Sequence, residues 1–441
     1  MVVWPVGTTG ELVSVDLIAV SLGHCSALNS PLPSALIGSP TRGAFVNVNV
    51  PQTVPTSASV VIIGGGIMGT ATAYELAKAG VEDIVLIERG ELAGGSTSRA
   101  AGGLRCQFSD EANIMLGARS LEIFRRFEEQ MGQNIDMVQS GYLFLLDNEA
   151  DAEKMAANVE LQASLGQSSR MISPAECGEL NPVIRTDDLV AGAFNPFDAH
   201  CTPEAAVAGY AKNARRLGVT ILRGVEVTRV IAEGDEAEPG SRRITGVETS
   251  AGPIAADTVV CAAGAWSKKI GADVGIDLPV EPLRRHIVVS EPVNFDPRRL
   301  PFTIDFSTSY YFHSEGAGLL FGAPEVEDTW GFSTQQDPAW LEVLAELMER
   351  RTPMLDDVQL RRGWAGLYEV TPDHNALIGK SSQVDGFLYA TGFSGHGFLQ
   401  GPAVGEIMAD LYLDRTPLID ISGLSLDRFA SGEVRKEMNV V

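Results

Sequence analysis

Residues Val60 to Glu88 constrain the fold more than any other stretch of the chain. They read Val-Val-Ile-Ile-Gly-Gly-Gly-Ile-Met-Gly, then an apolar-periodic stretch to Gly80, then Ile-Val-Leu-Ile-Glu. The pattern predicts strand, glycine turn, helix, strand and a terminal acid, the unit that holds the adenine half of a dinucleotide. Gly64 suits the tight turn out of the strand, and Gly66 keeps a Cβ out of the way of a pyrophosphate. Gly69 lets helix and strand pack closely, and Gly80 suits the helix end. The helix start at Ile67 and Met68 aims free N–H groups and a positive dipole end at phosphates. Glu88 stands 24 positions after Gly64, near the roughly 20 at which a carboxylate accepts hydrogen bonds from ribose hydroxyls.

With 441 residues the chain has room for two or three domains. Its net charge of −24 argues against nucleic acid and against anionic membrane surfaces as partners, while leaving room for a local basic pocket. No apolar run is long enough to span a bilayer. The cysteines, Cys25, Cys106, Cys177, Cys201 and Cys261, are odd in number and show no C-x-x-C spacing. That argues against a disulfide framework or zinc site and fits a reducing, cytoplasmic setting. Residues 1–56 are rich in Ser, Pro, Thr, Val and Gly, with Arg42 as their only basic residue. They lack the positive start of a secretory signal and the arginines of a transit peptide. They are expected to be a poorly ordered extension, or translated sequence upstream of a start nearer Val60.

Beyond the dinucleotide unit, glycine-rich segments alternate with ordinary ones. Glu91 to Arg105 is a Gly/Ser/Ala-rich loop, followed by a helix expected from about Asp110 to Met131 with Ser109 as its cap. Gly141 to Leu146 reads as a strand and Ala150–Leu165 as a helix ended by Gly166. Ser173 to Glu176 is a capping box with proline at the first helical position. Thr202-Pro203-Glu204 opens a helix that stops at Gly218, and strands are expected over Val219–Ile231 and Ile244–Val260. The last of these breaks into Cys261-Ala262-Ala263-Gly264-Ala265-Trp266, as a buried parallel strand does on meeting a cofactor. Residues 280–330 look antiparallel, Asp337-Pro338 opens a helix to Arg351, and a last helix is expected from about Pro402.

Three glycine-rich segments far apart in sequence imply a cofactor longer than a nucleotide. The last, Ala390-Thr391-Gly392-Phe393-Ser394-Gly395-His396-Gly397-Phe398, delivers bare backbone into a helix start. Such a site suits an anion or an electron-rich oxygen, and a reduced flavin needs one at its N1/C2 oxygen edge. These segments, with Gly95-Ser96-Thr97 through Gly103 and with Thr371-Pro372-Asp373, resemble the glycine oxidase/D-amino-acid oxidase superfamily of FAD-dependent amine oxidoreductases. The similarity is to the branch of sarcosine oxidase, dimethylglycine dehydrogenase and the β subunit of heteromeric proline dehydrogenase, and it spans roughly residues 58–430. It implies FAD contacts from Gly64, Gly66, Ile67, Met68, Gly69, Glu88 and Arg89, and from Ser96, Thr97, Ser98, Gly102 and Gly103. It implies further contacts from Val227, Ala263, Gly264 and Trp266, and from Gly392, Gly395, His396, Gly397 and Phe398.

The departures from the family carry information too. The cysteine that anchors flavin covalently two residues before a tyrosine is Gly366 here, before Tyr368, and the anchoring histidine of the Gly-Ser-Thr loop is Arg99. Non-covalent FAD is therefore expected. The lysine that promotes reaction with oxygen is Leu320, which favours a dehydrogenase, and the carboxylate-holding lysine after Gly-His-Gly-Phe is Leu399. Arg105 matches the family's other carboxylate-binding residue, with a surface or helix-pairing arginine as the plainer alternative. Tyr368 either serves the substrate or is a core aromatic. His286, after Arg284-Arg285, either faces the flavin or is a satisfied structural histidine. His396 is expected to contribute backbone. No metal-ligand spacing and no Ser/His/Asp arrangement is present.

The expected fold is α/β: an FAD-binding dinucleotide (Rossmann-like) domain with a discontinuous substrate domain built on a mixed, largely antiparallel sheet. The first is expected over 57–145, 200–265 and 362–441, the second over 146–199 and 266–361. The resemblance implies oxidation of the C–N bond of a secondary or N-methyl amino acid of the sarcosine, dimethylglycine or proline type, by hydride transfer to flavin N5. Arg105 would orient the carboxylate, with Tyr368 and His286 as further catalytic candidates. Oxygen or another carrier would accept the electrons. D-Amino-acid or 2-hydroxy-acid oxidation on the same scaffold, or a flavin-containing subunit active only with a heteromeric partner, remain as alternatives.

Overall fold

The β-branched runs at the chain's glycine turns pair with one another. Val60–Ile63 lies between Val259–Cys261 and Ile84–Glu88, parallel to both. The six-stranded sheet runs Leu377–Lys380, Phe387–Thr391, Val259–Cys261, Val60–Ile63, Ile84–Glu88, Thr220–Arg223, and is parallel apart from the edge strand Leu377–Lys380. Its central strands are buried on both faces, which is why they read as unbroken apolar runs rather than alternating ones. This is a computed structural model; it describes residues 54–235, 241–432 and 434–439. The expectation for the N-terminal extension falls, up to residue 53, outside the described residues.

Two helices are set against this sheet so that both begin at its carboxyl ends. Ile67–Lys78 follows the first glycine turn and Gly397–Tyr412 follows the last. They touch through small residues. An added Cβ at Gly401 would stand 2.4 Å from Ile67 Cγ1, and one at Gly405 would stand 2.8 Å from Ala71. Side chains at these two positions would push the helices apart. The close crossing sets the two N-termini side by side.

The second sheet has eight strands in the order Leu360–Val370, Glu281–Ser290, Gly318–Ala323, Tyr310–Glu315, Phe302–Asp305, Tyr142–Leu146, Ala191–Asn195, Arg170–Ile172. All its pairings are antiparallel except that of Phe302–Asp305 with Tyr142–Leu146. Two of its strands reach into segments expected to bind the nucleotide: Tyr142–Leu146, and Leu360–Val370 beyond residue 361. A smaller sheet pairs Val227–Glu233 with Arg242–Thr249.

Several local expectations shift by a turn. The capping box at Ser173 forms as written, with the side chains of Ser173 and Glu176 each accepting from the other's backbone N–H. The helix after the Gly/Ser loop begins at Glu111, and its cap is Asp110, not Ser109. Ser109 Oγ is taken by Glu437 Oε1 at 2.7 Å, a partner 328 positions away. This helix stops at Arg125, and a separate short one, Phe127–Met131, follows. The last long helix starts at Gly397, so Pro402 lies within it. Proline is common at a helix start, and its place inside the helix is what misplaced the expected boundary.

Candidate active site

Both helix N-termini open onto one cavity between the two sheets. Neither helix has a cap from its own sequence or an acid in its first turn, so each presents N–H donors and a positive dipole end. Gly64, Gly66, Ile67 and Met68 line the cavity at the first helix, and Gly395, His396, Gly397 and Phe398 at the second. Gly64 has φ +116°, and a Cβ there would stand 2.2 Å from the Ala262 carbonyl oxygen. Only glycine fits that turn. Ile67 N donates to Thr97 Oγ1 at 3.2 Å, a partial cap supplied 30 residues further on.

Glu88 sits at the end of its strand, as its spacing requires. Its Oε2 accepts from Gly65 N and its Oε1 from Gly90 N, both at 2.8 Å. The carboxylate is thus fixed by backbone donors with lone pairs still facing the cavity. Arg89 lies over the Trp266 ring, 4.0 Å from its centroid, and both line the cavity with Val227, Ala263 and Gly264. The Gly/Ser loop brings in Ser96, Thr97, Gly102 and Gly103. Ser96 Oγ ties that loop to the second sheet by donating to Leu367 O at 2.7 Å.

Four expected contacts lie off the cavity. Gly69 faces the strand turn: a Cβ there would stand 1.9 Å from Gly64 O, so its role is helix–strand packing. Ser98 N donates to Ala93 O inside the loop. Gly392 packs on Thr371 and donates its N–H to Glu369 Oε2 at 3.0 Å. His286 is a correction to the catalytic candidates. Its strand alternates, so Arg285 and Ile287 face the cavity while Arg284 and His286 face away. His286 stacks on Trp340 with centroids 5.0 Å apart, and its Nε2 lies 3.1 Å from Glu325 Oε1. Burial holds its imidazole below the usual range, so it is a neutral structural side chain.

Arg105 lines the cavity and is 4% exposed. Its Nη1 donates to Gln107 O, and its Nη2 donates to Asn439 O at 2.6 Å. Among the described residues no carboxylate hydrogen-bonds it; Glu437 and Asp198 act on it only through space. Burial lowers its pKa, as expected for a cation taken from water without a paired anion. Tyr368 is the other cavity residue foreseen from the sequence. Its ring lies against Gly395, where φ is +96° and an added Cβ would stand 2.6 Å from Tyr368 Cε2. His396 is a neutral imidazole, its pKa driven down by burial, with its ring edge-on to Phe108 at 5.0 Å.

The second sheet supplies what sequence reasoning missed. Tyr142, Arg285, Ile287, Phe302, Ile304 and Tyr311 form a largely apolar roof, with Tyr142 and Phe302 stacked at 4.2 Å. Alternation alone could have put Arg285 and Ile287 on one face, but nothing in the sequence said which face meets the cavity. Glu369 was missed too. It lines the cavity, its Oε2 accepts from Gly392 N and from Thr391 Oγ1, both at 3.0 Å, and no cation pairs with it among the described residues. Burial pushes its pKa up to about 7. Leu320 is buried in the cluster beneath the roof, and Leu399 lines the cavity. No described group of His, Cys, Asp and Glu is arranged to hold a metal ion, and no described helix is long and apolar enough to cross a membrane.

Comparisons with known proteins give this geometry a context. Residues 59–411 match the family model described as FAD dependent oxidoreductase. Human mitochondrial sarcosine dehydrogenase is 30% identical over 85% of this chain and 42% of its own length. Mouse mitochondrial dimethylglycine dehydrogenase is 30% identical over 90% of this chain and 48% of its own. The chain therefore spans less than half the length of these two relatives. Among solved structures, the L-proline dehydrogenase from P. horikoshii superposes with a TM-score of 0.80 at 32% identity, over 87% of this chain and 100% of that one.

Proposed function

This chain belongs to the FAD-dependent oxidoreductase family, and we propose that it oxidises a secondary or N-methyl amino acid of the sarcosine, dimethylglycine or proline type. The residues of the cavity fit FAD. Two helix N-termini without acids suit its pyrophosphate and the electron-rich edge of its ring. Glu88 suits a ribose diol, and Gly66, Gly264 and Gly395 leave the backbone bare where a large flat group must approach. Gly366 and Arg99 stand where relatives of the family anchor flavin covalently, so binding is non-covalent in this reading. Bound FAD would supply the oxidising group and take up the hydride.

The observation that carries the substrate reading is Arg105, a buried guanidinium that among the described residues hydrogen-bonds only carbonyl oxygens, beside the floor of the cavity. A carboxylate is its natural complement. Bidentate capture there would hold the amine against the floor, and the aromatic roof would exclude water. The same cation and the apolar lining disfavour an ammonium, so the amine binds neutral. Its lone pair then forms the C=N bond as the adjacent C–H bond breaks with its electron pair. Water hydrolyses the resulting imine to a carbonyl compound and an amine. The relatives' names support this class of substrate. Leu320, in place of an oxygen-promoting lysine, supports an acceptor other than oxygen.

The test is an anaerobic titration of the FAD-loaded protein with sarcosine, dimethylglycine and proline, followed by air. Bleaching of the flavin absorbance by one of them, with slow recovery in air, is the expected result. No bleaching by any carboxylated amine would sink the reading.

Glu369 gives a separate expectation. The sign follows from its raised pKa: below about 7 the carboxyl is neutral, and above it a half-buried anion lines the site of an anionic cofactor. The Kd for FAD should be flat from pH 5 to about 7. Above that it should rise, by at most about tenfold per pH unit. Glu369→Gln should remain flat throughout. Fluorescence titration of the apoprotein checks both, and a native profile without a break near neutrality would dismiss the role.

A further inference from the structure

The roof of the cavity holds an arginine that the proposed reaction does not use. Arg285 lies on the cavity face of Glu281–Ser290, opposite Gly366 in the register. Its Nη1 donates to Asp328 Oδ1 at 2.9 Å and to Arg284 O at 3.0 Å. No hydrogen bond engages its Nε or Nη2 among the described residues. The side chain is 21% exposed, and its Asp328 partner is 45% exposed.

The neighbouring Arg284 shows what a purely structural arginine looks like in this strand. It faces away from the cavity. Its Nε and Nη2 meet Glu325 at 2.8 and 2.9 Å, its Nη1 donates to Gln335 O, and its Nη2 also bonds Thr329 Oγ1. That guanidinium is engaged through all three of its nitrogens, whereas Arg285 lines the cavity with its Nε and Nη2 edge unengaged among the described residues. Arg285 stands 5.6 Å from the centroid of the Tyr368 ring, and burial raises the pKa of the Tyr368 hydroxyl against the opposing charges of Arg285 and Arg105. Two guanidinium groups thus address the same tyrosine, one from beneath the Gly/Ser loop and one from the roof.

We propose that the substrate carries a second carboxylate, received by Arg285 while Arg105 holds the first. The inference rests on the amine-oxidation reading above and narrows it to N-substituted amino acids with two acidic groups. A guanidinium edge with two parallel N–H donors matches a carboxylate, and Asp328 fixes the orientation of that edge by holding Nη1. The chain has a net charge of −24 and the cavity lining includes carboxylates as well as cations, so a dianion binds there only where both of its charges are met. A monocarboxylate leaves Arg285 with Asp328 and the Arg284 carbonyl on Nη1 and the other edge of its fork unused.

Matched pairs test this on the FAD-loaded protein under anaerobic conditions: sarcosine against iminodiacetate, and N-methylalanine against N-methylaspartate and N-methylglutamate. The expected result is that the best diacid reduces the flavin with kcat/KM at least tenfold above the best monoacid. In Arg285→Leu that ratio should collapse toward one, and Arg285→Lys, which keeps the charge but loses the fork, should fall between. Shifts of the flavin absorbance on adding succinate or glutarate, compared with acetate, give a binding readout that needs no turnover. The diacids should saturate it at lower concentration. A monoacid preferred over every diacid by the native protein would overturn the inference while leaving amine oxidation standing. An equal loss toward both classes in Arg285→Leu would overturn it as well, making Arg285 a clamp for the Asp328 loop. Failure of every amine to reduce the flavin would remove the reading beneath it.

Discussion

An Arg105→Leu protein is expected to retain FAD yet to oxidise a carboxylated amine with kcat/KM roughly a hundredfold or more below the native protein. Truncating one partner of a buried, hydrogen-bonded charge pair costs about 2–5 kcal/mol, and each 1.4 kcal/mol is about tenfold. A loss of about 3 kcal/mol or more within that range is expected, because the guanidinium is 4% exposed and among the described residues it hydrogen-bonds only two carbonyl oxygens, so that in this reading the substrate carboxylate is its anion. Leucine also leaves Asn439 O without its donor, while Gln107 O keeps Asn439 Nδ2 at 3.3 Å, so a loss of stability is expected alongside the kinetic loss. Two controls separate these effects. Flavin content and melting temperature report on folding, and Arg105→Lys restores the charge without the fork. Apparent affinity for the substrate unchanged in a folded, flavin-loaded Arg105→Leu protein would remove the carboxylate role.

The largest expected effect on stability lies outside the cavity. Asp373 and Arg428 form a bidentate pair, Nε to Oδ2 at 2.8 Å and Nη2 to Oδ1 at 2.9 Å, with side chains 1% and 3% exposed. Arg428 also donates to the carbonyls of Leu424, Ser425 and Asn375. The pair ties the C-terminal segment to the loop that follows the strand carrying Tyr368 and Glu369. Asp373→Ala leaves a buried guanidinium without its anion, a loss of about 3–5 kcal/mol, which corresponds to a fall in melting temperature of roughly 5 °C in a chain of this length. Removing both charges in Asp373→Ala/Arg428→Met should recover part of that loss, because no uncompensated cation remains. A double variant no more stable than Asp373→Ala would show that packing, not the orphaned charge, sets the cost.

The Asp373 pair also shows what kind of information a sequence holds. Thr371-Pro372-Asp373 stood out as part of a family resemblance with no role attached. Its partner lies 55 positions away, and no local rule connects the two. Ser109 failed as a helix cap for the same reason, since Glu437 claims its hydroxyl from across the chain. For His286 the sequence left two readings, facing the flavin or structural, and the structure shows the second. Its neighbours at 285 and 287 face the cavity, and a period of two fixes which residues share a face but not which face is inward.

Much of the floor of the site, by contrast, was legible, although Gly69, Ser98 and Gly392 lie off the cavity. The sequence alone determined the dinucleotide turn, the position of Glu88, the buried parallel strand ending at Gly264 and the glycine-rich start of the last long helix. Each of these is a local requirement: a backbone that must turn tightly, approach a ligand without a Cβ, or run buried on both sides. Only the tertiary structure decided the roof. Arg285, Phe302, Tyr311 and Tyr142 come from four strands of one sheet, and Glu369 is isolated by the burial of everything around it. The solvation of a charge depends on which segments close over it. That closure is set by pairings across hundreds of residues, which no local pattern in the chain records.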